Sequence, residues 1–248
     1  MQPNNLKPAI RARWVLSLAA VVLLALALIA VNHWRSERLQ LRLLSTPPEA
    51  VAQDPALVRF ASAQAKPLYA AHCAACHGPE MRGNPALGAP NLQDDVWLYG
   101  EGSIFDIERT LLYGIRSGED KSHNDSEMPA FGQRGILNDA QIRNVVQYLL
   151  QLSGRSYEAQ GAGEGRLVYA GAGNCGDCHG PDARGNTEYG APDLTRNVWN
   201  SGAEPKDLYA AIYSGQHHIM PAWGRTLSLE QIRALATYVY AASHVGQP

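Results

Sequence analysis

Two copies of one five-residue pattern, Cys73-Ala74-Ala75-Cys76-His77 and Cys175-Gly176-Asp177-Cys178-His179, stand 102 positions apart and hold all four cysteines of the 248-residue chain. Two thiols on one helical turn can add to the vinyl groups of a haem, and the histidine that follows is then placed under the iron as an axial ligand. A bare pair of cysteines has other uses. Structural zinc needs both pairs in one place, yet here each pair sits inside its own copy of a longer pattern about a domain length away. A thioredoxin-like dithiol sits at the end of a strand, and no β-branched run precedes either motif.

The chain therefore reads as carrying two covalently bound haem c groups. They also answer a problem of composition. Aromatic residues make up 8% of the chain and only 3 are Phe, which is thin for two cores of about 90 residues unless a large apolar ring helps to fill each. With all four cysteines committed to haem, no structural disulfide remains. Charge is unevenly spread: residues 1–66 carry +5, residues 67–155 carry −4 and residues 156–248 carry −3. The acidic haem-bearing part excludes a nucleic-acid partner, which would need a basic face.

The repeat extends well beyond the cysteines. Gly88-Ala-Pro90-Asn-Leu92 returns as Gly190-Ala-Pro192-Asp-Leu194 and Trp97 as Trp199, all at the offset of 102. Further on, Tyr113 aligns with Tyr213 (offset 100), Met128-Pro-Ala-Phe-Gly132 with Met220-Pro-Ala-Trp-Gly224 (offset 92), and Gln141-Ile-Arg143 with Gln231-Ile-Arg233 (offset 90). Apolar residues recur at helical spacing behind N-capping patterns at Ser103, Asn138 and Ser228, and Asp54-Pro55 opens a helix toward the first motif. Pro67 argues for a break in that helix before Leu68-Tyr69. The Gly/Pro-rich stretches after His77 read as irregular loops that pass close to a flat ring. No convincing strand pattern occurs, so the fold class is all-α.

An electron-carrying haem needs its second axial position filled, and a thioether there favours the ferrous state. Of four methionines, Met1 is the initiator and Met81 is too close to His77 to reach the opposite face. Met128 and Met220 remain, at matching places in the two copies. The repeat pairs His77 with Met128 and His179 with Met220 as the iron ligands, with His123, His217 and His218 as rivals. The carbonyls of Pro90 and Pro192, each 13 residues after its histidine, are candidates to hold the imidazole Nδ1–H; a simple turn proline is the other reading. Trp97 and Trp199 pack either on the haem or in ordinary core. Arg82 and Arg184 pair with propionates or lie on solvated loops.

At the N-terminus, Trp14 to Trp34 is a run of 21 uncharged residues, a helix of about 31 Å. It reads as an uncleaved transmembrane anchor, against a signal peptide cut after Ala25-Leu26-Ala27. Basic residues balance across it, so orientation follows from the haems, which are attached outside the bacterial cytoplasmic membrane. The organisation expected is a cytoplasmic start and anchor over 1–34, a juxtamembrane linker over 35–53 ended by Thr46-Pro47-Pro48, a first cytochrome c domain over 54–154, a polar linker over 155–163 and a second cytochrome c domain over 164–248. Localisation is then a single-pass protein of the bacterial inner membrane with both haem domains in the periplasm.

The tandem Cys-x-x-Cys-His-Gly motifs, the Gly-Ala-Pro segments, Asp94-Asp95-Val96-Trp97-Leu98-Tyr99-Gly100 and the two Met-Pro-Ala-aromatic-Gly motifs together resemble the dihaem subunit III of cbb3-type cytochrome c oxidases over about residues 54–243. In place of that family's acidic N-terminal segment with paired tryptophans, this chain has Asn4-Asn5-Leu6-Lys7-Pro8 and Trp14. The resemblance implies an electron-transfer subunit with no substrate chemistry of its own, partnered by oxidase core subunits in the membrane. A soluble basic c-type cytochrome is the expected donor. Two other readings use the same residues: an independent membrane-anchored dihaem carrier serving a periplasmic dehydrogenase, and a dihaem peroxidase. Two intact methionine motifs argue against the peroxidase, which needs an open iron position.

Overall fold

The structure, a computed structural model, describes residues 8–123, 126–197 and 202–244. It divides into two units, Met1–Ser45 and Thr46–Pro248.

The first unit is a single helix, α1 (Pro8–Ser45), of 38 residues. Over Arg13–Ser45 it is long and apolar enough to cross a membrane, and Leu18, Leu23, Leu26 and Ile29 are all exposed along it. With no Gly or Pro in its way, the helix runs unbroken through the basic stretch after Trp34. Arg38 stacks its guanidinium over the Trp34 ring at 4.1 Å, and His33 and Glu37 pair one turn apart. The helix ends where Pro47 and Pro48 forbid its continuation.

The second unit is built from α2 (Pro48–Ala52), α3 (Pro55–His72), α4 (Ala74–His77), α5 (Ile104–Tyr113), α6 (Asp139–Leu152), α7 (Ala159–Ala170), α8 (Gly176–His179), α9 (Pro205–Ser214) and α10 (Leu229–Ser243). Among the described residues there are isolated β-bridges but no strands. The N-caps are those read from sequence: Asp54 accepts from Ala56 and Leu57, and Ser103, Asn138 and Ser228 each form a complete capping box. Helix α3 does not break at Pro67. The proline removes one intrahelical hydrogen bond, but Leu57, Ala61, Ala65 and Tyr69 form one buried face along the helix, and burying it outweighs the loss.

The helices exchange partners between the two sequence copies. α3 packs on α10 and α5 packs on α10, while α6 packs on α7 and α9. The aromatic contacts follow the same exchange: Tyr69 of α3 meets Tyr238 of α10 edge-on at 6.0 Å, and Tyr169 of α7 meets Tyr148 of α6 at 5.5 Å. One lobe thus contains α3, α4, α5 and α10, and the other contains α6 to α9. Each lobe therefore draws helices from both segment 54–154 and segment 164–248. Only Ser153 to Glu158 separates α6 from α7, and so short a connection makes the two helices antiparallel neighbours.

The Gly-rich stretch read as a linker over 155–163 is helical from Ala159 onward. Gly165 explains why a glycine-rich helix is kept there. A Cβ on it would lie 2.0 Å from the Asn144 carbonyl oxygen, so the bare backbone lets α7 lie directly against α6. The structure also corrects the repeat alignment in α5 and α9. Their C-caps, Gly114 and Gly215, have the same conformation (φ +73), so this element carries an offset of 101 and Tyr113 matches Ser214.

Candidate cofactor sites

Each Cys-x-x-Cys-His motif forms a single helical turn closed by a left-handed glycine, Gly78 (φ +77) after α4 and Gly180 (φ +79) after α8. A buried tyrosine from the preceding long helix holds that glycine. Tyr69 donates its hydroxyl to the Gly78 carbonyl at 2.7 Å, and Tyr169 to the Gly180 carbonyl at 2.7 Å. Burial raises both phenols, Tyr69 to about 12, so both remain protonated donors. Nothing in the sequence signals this role, since a tyrosine in a helix reads first as core.

The loops after the histidines are more ordered than their composition suggests. Gly83 N–H donates to the His77 carbonyl at 2.9 Å, and Gly185 N–H to the His179 carbonyl at 2.8 Å. Asn84 and Ala89 then bridge antiparallel, as do Asn186 and Ala191. This tight return delivers the next residue's carbonyl to the imidazole. His77 Nδ1 lies 3.1 Å from the Pro90 carbonyl and His179 Nδ1 lies 3.0 Å from that of Pro192. A carbonyl can only accept, so Nδ1 carries the proton and Nε2 presents a lone pair. Burial lowers the pKa of both histidines, opposed by the carbonyl bond, which keeps Nε2 available as a ligand at neutral pH.

Burial also pushes the Cys73 and Cys175 thiols up to about 11. A redox dithiol needs a lowered thiol, so the environment is the wrong one for thioredoxin-like exchange. Among the described residues, no three His, Cys, Asp or Glu side chains converge as a metal-binding group.

The methionines are placed by an exchange of backbone bonds. Just after α5, Ile115 and Met220 share two hydrogen bonds of 3.0 Å; just after α9, Gln216 and Met128 share two of 3.1 and 3.3 Å. Phe131 N–H reaches the Ile212 carbonyl at 3.1 Å, and Trp223 N–H reaches that of Leu111 at 2.9 Å. Each Met-Pro-Ala-aromatic-Gly segment is therefore stapled to the middle helix of the other copy. Glycine is required at these crossings, because a Cβ on Gly114 or Gly215 would stand 2.4 or 2.5 Å from the carbonyl of Met220 or Met128.

The consequence is visible at the second motif. Cys175, Cys178, His179 and Met128 line one cavity of about 540 Å³, walled by Leu98, Phe131, Val145, Leu149, Leu208 and Ile212. Its size is in the range of cofactor pockets, roughly 300–1,000 Å³. Thiols, imidazole and thioether in one apolar cavity are the donor set that a covalently held haem needs. The donor set fits, and Met128, which the sequence reading places with His77, lines the cavity of His179. Met220 is bridged to Ile115, just after α5.

Two of the three rival histidines are engaged elsewhere. His123 is buried and stacks on Tyr99 at 4.1 Å between ring centres. His217 pairs with Glu127 on the surface. His218 also lines the cavity, with its Nε2 turned to Gln216 Oε1 at 2.5 Å. The Trp97 indole lies where a Cβ on Gly102 would be, and Trp199 lies outside the described residues. Arg82 is exposed and Arg184 meets Asp182 at 3.5 Å on an exposed loop; both fit the solvated-loop reading.

Residues 62–153 match the family model described as cytochrome c, and residues 160–239 match that described as cytochrome c oxidase, cbb3-type, subunit III. The chain is 38% identical over 199 residues to the cbb3-type cytochrome c oxidase subunit CcoP of Cereibacter sphaeroides, covering 80% of this chain and 67% of that protein. It is 41% identical over 192 residues to the subunit FixP of a Bradyrhizobium species, covering 77% and 64%. It is 40% identical over 200 residues to the FixP of Azorhizobium caulinodans, covering 80% and 66%. The chain thus spans about two thirds of the length of the curated relatives it matches.

Proposed function

The chain belongs to the CcoP/FixP family of cbb3-type cytochrome c oxidase subunits, and from this membership and its two cradles we propose that it is the membrane-anchored dihaem subunit that passes electrons from a periplasmic donor to an oxidase core. The observation that carries this reading is the cavity shared by Cys175, Cys178, His179 and Met128. A haem bound there would supply one-electron chemistry between ferrous and ferric iron. The chain's own residues would hold the iron through one histidine and one methionine and keep the ring in apolar surroundings.

In this proposal Cys73 and Cys76 hold the first haem and Cys175 and Cys178 the second. His77 pairs with Met220 and His179 with Met128. The Pro90 and Pro192 carbonyls fix each imidazole and raise its basicity. Helix α1 anchors the molecule, and the haem-bearing unit faces the periplasm, where attachment to Cys-x-x-Cys-His takes place. Oxidase core subunits are its partners in the membrane, and a soluble basic c-type cytochrome is its donor.

The test separates the exchanged pairing from the pairing along the sequence. In a Cys73→Ala, Cys76→Ala chain, which keeps only the second haem, Met128→Ala opens an axial position that binds carbon monoxide, and Met220→Ala leaves that haem six-coordinate. The opposite result restores the sequence pairing. Carbon monoxide binding in neither variant makes His218 the ligand.

A further inference from the structure

Arg116 sits where the two crossing segments meet, one residue past the bridge between Ile115 and Met220. Its backbone is left-handed (φ +49), a conformation unfavourable for a non-glycine residue, so the surroundings must hold it there. They do so through its guanidinium. Nε donates to the His218 carbonyl at 2.8 Å, and Nη1 donates to the Ser126 carbonyl at 3.0 Å and the Tyr99 hydroxyl at 3.3 Å. His218 and Ser126 have the same relation to the candidate ligands, each two residues before a methionine: His218 before Met220, Ser126 before Met128. One planar fork thus grips both ligand-bearing segments at equivalent points.

All three acceptors are neutral, so the hydrogen bonds leave the full positive charge in place. That charge also lines the cavity of Met128 and His179. The repeat does not supply a second such group. At the offset of 101 that relates Gly114 to Gly215, the equivalent of Arg116 is His217, which lies on the surface beside Glu127.

We infer that Arg116 is a positioning residue shared by both iron sites: it holds the segments of Met128 and Met220 together and sets one fixed cation between them that raises the reduction potential of both haems. A cation beside either site favours the state with one positive charge fewer, the ferrous one, and partial burial keeps the effect from being screened away. This rests on the methionine ligation proposed above.

The experiment uses the full chain in detergent, loaded with both haems, and compares Arg116→Gln and Arg116→Lys with the wild type. Each haem is titrated potentiometrically, and the near-infrared band of methionine bound to ferric iron is followed through a denaturant titration. Arg116→Gln is expected to lower both midpoint potentials and to lose the methionine bands at lower denaturant. Arg116→Lys keeps the charge without the fork, so it should hold both potentials near wild type and still lose the bands early. Unchanged potentials in Arg116→Gln, a shift confined to one haem, or an equal fall in Gln and Lys would each overturn the inference. A wild type without any methionine band would instead bring down the ligand assignment, and the inference with it.

Discussion

At the scale of single residues, the two sites are held by atoms that look ordinary in the sequence. Tyr69 and Tyr169 close the haem-motif turns, and Pro90 and Pro192 orient the imidazoles through backbone carbonyls that no side-chain pattern advertises. The proline carbonyls were legible because the interval of 13 residues repeats. The tyrosines were not, since a tyrosine in a helix reads first as core. Tyr169→Phe keeps the ring and removes the donor to the Gly180 carbonyl, so it should destabilise the folded chain by about 1 kcal/mol. Thermal unfolding of the haem-loaded protein checks this, and Tyr69→Phe should cost a similar amount because its bond is the same length.

At the scale of elements, the governing contact is the α6–α7 hairpin. Periodicity located α6 and its cap well, because alternation of apolar and polar residues is a local property. It failed at the start of α7, where Gly161 and Gly163 read as linker and Gly165 lies just beyond it. Glycine is a poor helix former by about 1 kcal/mol each, and only the approach of α6 makes it the right residue. Gly165→Ala should therefore destabilise the protein despite the better helix propensity of alanine, since its Cβ would collide with the Asn144 carbonyl. Gly163→Ala, with nothing within 4 Å, should be neutral or stabilising. Comparing the two by denaturant unfolding separates packing from propensity.

For the molecule as a whole, the contacts of α3 and α5 with α10 and of α6 with α7 and α9 tie the two sequence copies together within Thr46–Pro248. The acidic charge of residues 67–155 and 156–248, −4 and −3, would attract the basic donor proposed above, an attraction screened once the Debye length falls to about 8 Å at physiological salt. The rate of reduction by a basic soluble cytochrome should accordingly fall steeply with ionic strength. The anchor acts separately, by replacing a diffusional encounter with the oxidase core by a high local concentration. Removing residues 1–34 should collapse oxygen consumption in membranes while leaving reduction by the donor intact; full oxygen consumption by the freed unit would favour an independent carrier.

The sequence by itself determined the chemistry: two thiol pairs with their histidines, two methionines in repeated motifs, an apolar anchor and an all-helical chain are each written in contiguous residues. The repeat even located the histidine-holding carbonyls. What it could not decide was which half of one site completes the other. Two copies of one pattern make two pairings equally consistent with the residues, and the choice between His77 with Met128 and His179 with Met128 lies in how the copies fold against each other. The short turn between α6 and α7 and the bridges at Ile115–Met220 and Gln216–Met128 support the second, which is the pairing we propose. The bridges join residues 105 and 88 positions apart, and local sequence carries no energy term for them.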